Sequence, residues 1–373
     1  MPVKIGLLLP RSTDYPAMGF DMLDGIRAGF VHLGIQDVQV VTDNIGFGED
    51  IDVNYAKAEK MLLQDDVQLL IAYSNVNNAE PLYQLAASVQ RPFIFLDAGM
   101  QLPVNAINDY CYHISFQGAH ACYLSGLQLA AQSKNVLLAT SFYDGGYRGP
   151  WSYHVSIAAS GSAVCGNYIS SHKVAEFTIH QYLSLLQQGQ ADSVAACFST
   201  YLAELFFQAL KQAGTNAVPL PFYCSPYMAE EQMLAKCAFP GGIFHAYVPW
   251  ASSLSNEQQE AFIHGMRQRN KTANLFQLFG WEAAILSDQL LVHGNTSLKG
   301  WTYQSPRGAV TIHPQTHHTY APLYYGNIIE GQNGHCSFRV IDKHAVHEAD
   351  HTYYQAHEAE LMVAGWKNNY FCI

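Results

Sequence analysis

Short apolar runs that alternate with helical periods constrain this chain more than any other feature. VKIGLLLP, VQVVTDN, VQLLIAY and PFIFLDAG each offer about six strand-forming residues. Helical patterns separate them, at FDMLDGIRAGFVHLG, from about Val53 to Gln64, and at AEPLYQLAAS. Strands joined by helices need crossover connections, and crossovers give a parallel sheet. Near-continuous apolar runs suit strands covered on both faces. The rhythm then repeats. NVLLATS, GNYIS, SVAACFS and PLPFYCS read as strands between the helical stretches AHACYLSGLQLAAQ, Trp151–Ser160, HQYLSLLQQG and LAELFFQALKQAG. Two doubly wound α/β lobes are therefore expected. After GIFHAYVPW come two more helical stretches, SNEQQEAFIHGMRQRN and LFGWEAAILSDQLLVHG. GAVTIHP, LYYGNIIEG and CSFRVID then alternate in strand fashion.

Composition narrows the function. With 373 residues and a net charge of −11, the chain lacks the clustered basic charge of a nucleic-acid groove. No run approaches the roughly 18 apolar residues of a membrane span. The eight cysteines are scattered without a C-x-x-C, which fits neither a zinc ribbon nor a compact disulfide framework. Met1-Pro2 runs straight into the first strand without the parts of a secretory signal.

In open parallel sheets, ligands bind at the carboxyl ends of the strands. Those loops here are PRSTDYPAMG, AYSNVNNAE, LDAGMQL, TSFYDGGYRG, STYLAE and CSPYMAE. They hold hydroxyls, amides and tyrosine rings with few charges, which suits a small polar guest between aromatic faces. They offer no nucleophile–base–orienter chain.

Several stretches resemble one known family. IGLLLP followed by RSTDYPAMGFDMLDGIRAGF, the long segment from VVTDNIGFGED to AYSNVNNAEPL, LLATSFYDGGYRG and LFGWEAAILSDQL occur in the order and spacing of type I periplasmic binding proteins. This is the leucine/isoleucine/valine-binding superfamily. Residues 305–328, SPRGAVTIHPQTHHTYAPLYYGNI, are most similar to the branch that binds amides and urea. The resemblance implies two lobes joined by a three-crossing hinge, closing on a solute in the cleft between them. It implies an N-terminal lobe of 1–118 plus 250–320 and a C-terminal lobe of 119–249 plus 321–373.

Carried over by position, the resemblance implies ligand contacts from Ser12, Tyr15, Tyr73, Ser74, Asn75, Asp97, Ala98 and Gly99 in the first lobe. The second lobe would add Tyr143, Tyr147, Tyr201 and Tyr227. Ser12 and Ser74 also fit as helix caps, Asp97 as a binder of backbone amides, and Trp281 as core. Where amino-acid binders place an acid after the strand matching PLPFYC, this chain reads CSPY, with no acid before Glu230. An unpaired buried ammonium is costly. A neutral or aromatic guest is therefore expected unless Asp97 or Asp144 replaces that acid.

The resemblance implies no catalysis, no cofactor and no metal. It implies a membrane permease of an ABC transporter as partner, in the periplasm or cell envelope if a signal segment was removed. The alternative is a cytoplasmic amide sensor acting on a regulator. A third possibility is HEADHTYYQAH, residues 347–357, where His347, Glu348 and His351 match the zinc-protease pattern H-E-x-x-H. Tyr354 replaces the glycine that would turn His357 to a metal. This C-terminal segment is therefore read as solvated.

Overall fold

The computed structural model describes residues 2–101, 108–345, 347 and 366–372. It divides into two compact units: Met1–Phe116 with Leu254–Pro322 and Lys367–Ile373, and Gln117–Ser253 with Leu323–Trp366.

The first unit opens with β1 (Val3–Leu9), α1 (Met18–His32), β2 (Val38–Asn44), α2 (Ile51–Leu63), β3 (Leu69–Tyr73), α3 (Val76–Val89), β4 (Phe93–Asp97) and β5 (Cys111–Ser115). These strands form one parallel sheet in the order β2-β1-β3-β4-β5. β3, β4 and β5 are buried at every residue, as strands covered on both faces must be. β2 is only partly buried, which suits the polar residues of VQVVTDN at a sheet edge. The sequence pattern missed β5, because Tyr112 and His113 break its apolar run.

The second unit begins with α4 (Gly118–Ala130), β6 (Asn135–Ser141), α5 (Arg148–Ala159), β7 (Ala163–Ser170), α6 (His180–Gln187), β8 (Ser193–Cys197), α7 (Thr200–Ala213), β9 (Phe222–Cys224), α8 (Glu231–Leu234) and β10 (Phe244–Val248). The chain then returns to the first unit for α9 (Glu257–Gln268), α10 (Leu275–His293), β11 (Thr302–Ser305), β12 (Gly308–Ile312) and β13 (Thr319–Tyr320). β14 (Leu323–Glu330) and β15 (Cys336–His344) complete the second unit. Its seven strands run in the order β15-β14-β10-β9-β8-β6-β7. β10, β9, β8, β6 and β7 are parallel, whereas β14 and β15 add antiparallel. The second sheet is thus mixed rather than wholly parallel, because a hairpin can join an existing edge without a crossover.

Two glycines explain how α10 packs on α1. A Cβ at Gly25 would lie 2.0 Å from the Gln277 carbonyl oxygen, and one at Gly280 would lie 2.0 Å from the Met22 carbonyl oxygen. The backbones touch where neither helix has a side chain. Trp281, on the same helix, is buried core, with its ring 4.9 Å from that of His32.

A buried ion pair ties α10 to the three-stranded sheet β11-β12-β13. Glu282 and Arg307 both have fully buried side chains. Arg307 donates from Nε to Glu282 Oε1 at 2.7 Å and from Nη2 to Oε2 at 2.9 Å. Its Nη1 reaches the Ser115 carbonyl at the end of β5, 3.0 Å away. A buried charge is tolerated only when paired and hydrogen-bonded in this way. All eight cysteines are free, and seven are buried.

Residues 367–372 depart from the expected boundary. The sequence reading put 321–373 in the second lobe, but Lys367–Ile373 group with the first unit. The physical reason is the set of hydrogen bonds described next.

Candidate functional site

The loops after β1 and β3 carry Ser12, Tyr15, Ser74 and Asn75, Tyr73 ends β3, and all five are buried. Asn75 accepts at Oδ1 from the Asn78 amide and so caps α3. Ser12 Oγ accepts from the Tyr15 amide at 3.0 Å, yet it does not cap α1, which begins after Ala17. The outward polar groups of these loops meet the end of the chain itself. Ser12 Oγ donates to the Phe371 carbonyl at 2.6 Å, and Tyr73 OH donates to the Tyr370 carbonyl at 2.8 Å. The Asn75 amide donates to Asn369 Oδ1 at 3.0 Å, and Asn75 Nδ2 donates to the Asn368 carbonyl at 3.3 Å. Tyr15 packs its ring 5.6 Å from that of Phe371. Residues 369–372 are consequently buried.

Ser74 and the loop after β4 point elsewhere. Ser74 Oγ donates to the Asn75 carbonyl at 3.2 Å. Asp97 Oδ1 accepts from the Gly99 amide at 2.8 Å, the backbone role the sequence allowed, with Ala98 buried between them. Asp97, His113 and His318 bring potential ligand atoms within 4.8 Å of one another. The two imidazole rings are stacked, 4.3 Å apart and 11° from parallel. Ring lone pairs lie in the ring plane, so an ion shared by both would sit out of plane for each. Burial drives the His113 pKa well below its ordinary value, with the neighbouring His318 and His317 adding to the shift, so the ring is neutral.

In the second unit, the loop after β6 turns through Asp144–Gly146 into α5. Asp144 is fully buried. Its Oδ2 accepts from Ser141 Oγ at 2.6 Å and from the Ser199 amide at 3.1 Å. Tyr147 OH donates to Tyr143 OH at 3.1 Å, so these two expected ligand residues hold one another. Tyr201 OH donates to the His172 carbonyl, and Tyr227 is buried in the turn after β9. Glu230 accepts from the Gln232 and Met233 amides and caps α8. Asp97, Asp144 and Glu230 thus each accept from a backbone amide.

A cavity of about 410 Å³ lies at the carboxyl end of β6 and β7, lined by Thr140, Ser141, Phe142, Gly145, Gly146, Ile169 and Trp366. Trp366 lies 5.8 Å from the Tyr143 ring and 6.0 Å, edge-on, from that of Phe142. A Cβ at Gly146 would fall 1.9 Å from Trp366 Cδ1, so the DGG turn admits this indole only because it is bare. Sequence reasoning found the loop but missed Trp366, whose sole signal was the aromatic, asparagine-rich WKNNYFC. Of the zinc-protease pattern, only His347 is among the described residues, its ring 6.2 Å from that of His344. Glu348, His351, Tyr354 and His357 lie outside them.

Comparison with known proteins settles the family. The model of a family described as periplasmic binding protein matches residues 2–333. The chain belongs to the periplasmic binding protein family. Its fold is also that of solved binding proteins. An ABC transporter substrate-binding protein from Sphaerobacter thermophilus superposes with a TM-score of 0.80 at 16% identity, covering 92% of this chain and 98% of that one. A solute binding protein of an ABC transporter from Rhodopseudomonas palustris HaA2, solved with p-hydroxybenzoic acid, gives 0.77 at 17%, covering 92% and 97%. An ABC-type branched-chain amino acid transporter protein from Rhodopseudomonas palustris CGA009 gives 0.71 at 12%, again covering 92% and 97%. No curated protein matches the sequence.

Proposed function

We propose that this periplasmic binding protein holds one small solute without altering it and hands it to the membrane permease of an ABC-type uptake transporter at the cell envelope. The solute is neutral, weakly polar or aromatic. The observation that carries this reading is the state of the acids at the strand ends. Asp97, Asp144 and Glu230 already accept backbone amides or a serine hydroxyl, while hydroxyls, amides and aromatic faces make up the rest of the loops. No acid stands among the described residues that line the cavity beside Trp366, so an α-ammonium held there would be left without a carboxylate.

The cavity beside Trp366 supports the aromatic option. Its volume falls within the range of small-molecule pockets. Phe142 and Trp366 give it ring faces, Thr140 and Ser141 give it hydroxyls, and a structural relative was solved with a hydroxybenzoate. A thermal-shift screen over amino acids, primary amides, ureas and benzoates tests the proposal, because a ligand that binds only the folded chain raises Tm. A neutral or aromatic compound that stabilises the protein is the expected result. A screen in which only α-amino acids act would overturn the solute class.

A further inference from the structure

The second unit is built from two stretches of chain, Gln117–Ser253 and Leu323–Trp366, and the chain visits the first unit between them. Two buried cysteines meet where the stretches join. The segment after α8 lies along the start of β15 as an antiparallel bridge between Ala238 and His335. Its hydrogen bonds run from the Cys336 amide to the Cys237 carbonyl at 2.7 Å and from the Phe239 amide to the Gly334 carbonyl at 2.9 Å. Residues that flank a bridged antiparallel pair are themselves opposed, so Cys237 stands directly across from Cys336. Their side chains project to the same face, and the two residues are 2% and 4% exposed.

That placement suits a covalent bond. A hydrogen-bonded antiparallel pair has its Cα atoms about 5.5 Å apart, inside the roughly 4.4–6.8 Å that a disulfide spans. Cβ atoms at opposed positions lie about 4.5–5.5 Å apart, so closure asks the two segments to draw in by about 1 Å. As a thiol, Cys237 donates to the Met233 carbonyl at 3.4 Å, and S–H is a weak donor, so little opposes its loss. Among the described residues, no other two cysteines face each other across a ladder or bridge. Burial pushes both thiols up to about 12, with Cys336 adding to the rise at Cys237. Neither is an ionised nucleophile once the chain has folded. The bond therefore has to form while the chain folds, before water is excluded.

We propose that Cys237 and Cys336 are a modification site: when the chain folds against a disulfide oxidant, they close into a cross-strand disulfide that ties the two stretches of the second unit together. The bond goes beyond the solute-binding reading and is independent of which solute is carried. The exchange balances with glutathione disulfide as the oxidant. One protein thiolate attacks a glutathione sulfur and expels the first glutathione thiolate. The other attacks the protein sulfur of this mixed disulfide, forms the Cys237–Cys336 bond and expels the second. Two electrons pass to the oxidant, and the two thiol protons end on the two glutathiones. The bond closes a loop of about 100 residues, long enough to restrict the unfolded chain strongly.

The test refolds the full chain from urea with either glutathione disulfide or reduced glutathione. Mass spectrometry of an unreduced digest should find the peptides that contain Cys237 and Cys336 joined after oxidative refolding. In urea the reduced chain should titrate all eight thiols, and the oxidised chain at least two fewer. The oxidised chain should melt roughly 4–16 °C above the reduced one. Cys237→Ser and Cys336→Ser, each compared with its own reduced form, should lose that gain. A digest in which only other cysteines are joined, Cys122 to Cys197 for example, would overturn the inference. So would eight free thiols after oxidative refolding, or a gain in Tm that survives in both serine variants. The peptide map needs no variant, so a serine variant that fails to fold leaves the test intact.

Discussion

Arg307→Met isolates the energetics of the buried pair that joins α10 to the three-stranded sheet. Glu282 accepts four hydrogen bonds: from Tyr303 OH at 3.1 Å, Ser305 Oγ at 2.5 Å, and Arg307 Nε and Nη2 at 2.7 and 2.9 Å. The substitution removes the two charged donors and the positive charge. It leaves a carboxylate with no exposure and only two hydroxyls facing it. It also removes one of two donors to the Ser115 carbonyl, leaving the Thr319 hydroxyl at 3.3 Å. Breaking a buried pair from one side costs about 3–5 kcal/mol. At roughly 2–4 °C per kcal/mol for a body of 150–250 residues, the first unit should melt roughly 6–20 °C lower. Replacing both partners, Glu282→Met with Arg307→Met, removes the desolvated charge as well, and should recover at least about half of the loss. Calorimetric melting and urea titration of the three proteins measure this. A single variant within about 1 kcal/mol of the parent, or a double variant no more stable than the single, would refute the reasoning.

Three further outcomes follow from the packing and the titrating groups. Gly280→Ala should destabilise the first unit by about 1–3 kcal/mol or more, since its Cβ would meet the Met22 carbonyl oxygen at 2.0 Å, and urea titration reads it directly. Burial lowers the pKa of His113, and to a lesser extent those of His317 and His245. The unfolded chain therefore binds protons that the folded one refuses: the contribution is complete above about pH 6.5 and is lost as pH falls below it, by up to about 1.4 kcal/mol per pH unit per histidine. Urea midpoints measured from pH 8 to pH 5 should fall, and His113→Gln should flatten the slope. A thiol reagent should find at most Cys165 in the native protein and all eight cysteines in urea, because the other seven are buried.

Much of the α/β architecture was legible because it rests on local periodicity. VQLLIAY and PFIFLDAG are apolar throughout and became buried parallel strands, and LFGWEAAILSDQL became the helix whose glycine meets α1. β5 escaped notice because CYHIS owes its burial to neighbours, with His113 stacked on Phe95 and His318 rather than marked by hydrophobicity. The loops at the strand ends were found, since strand order alone directs attention to them. What fills them was not, because the bonds from Ser12, Tyr73 and Asn75 reach nearly 300 residues or more along the chain. No local pattern encodes a pairing at that separation. The polar residues of KNN look solvated until partners for each of them are known.

The most direct test of solute carriage is equilibrium dialysis of the purified chain against the best-stabilising compound, with mass spectrometry of what is recovered. The account predicts one molecule retained per chain and released with its mass unchanged. Conversion of the compound to a product, or no retention of any neutral or aromatic solute, would contradict it.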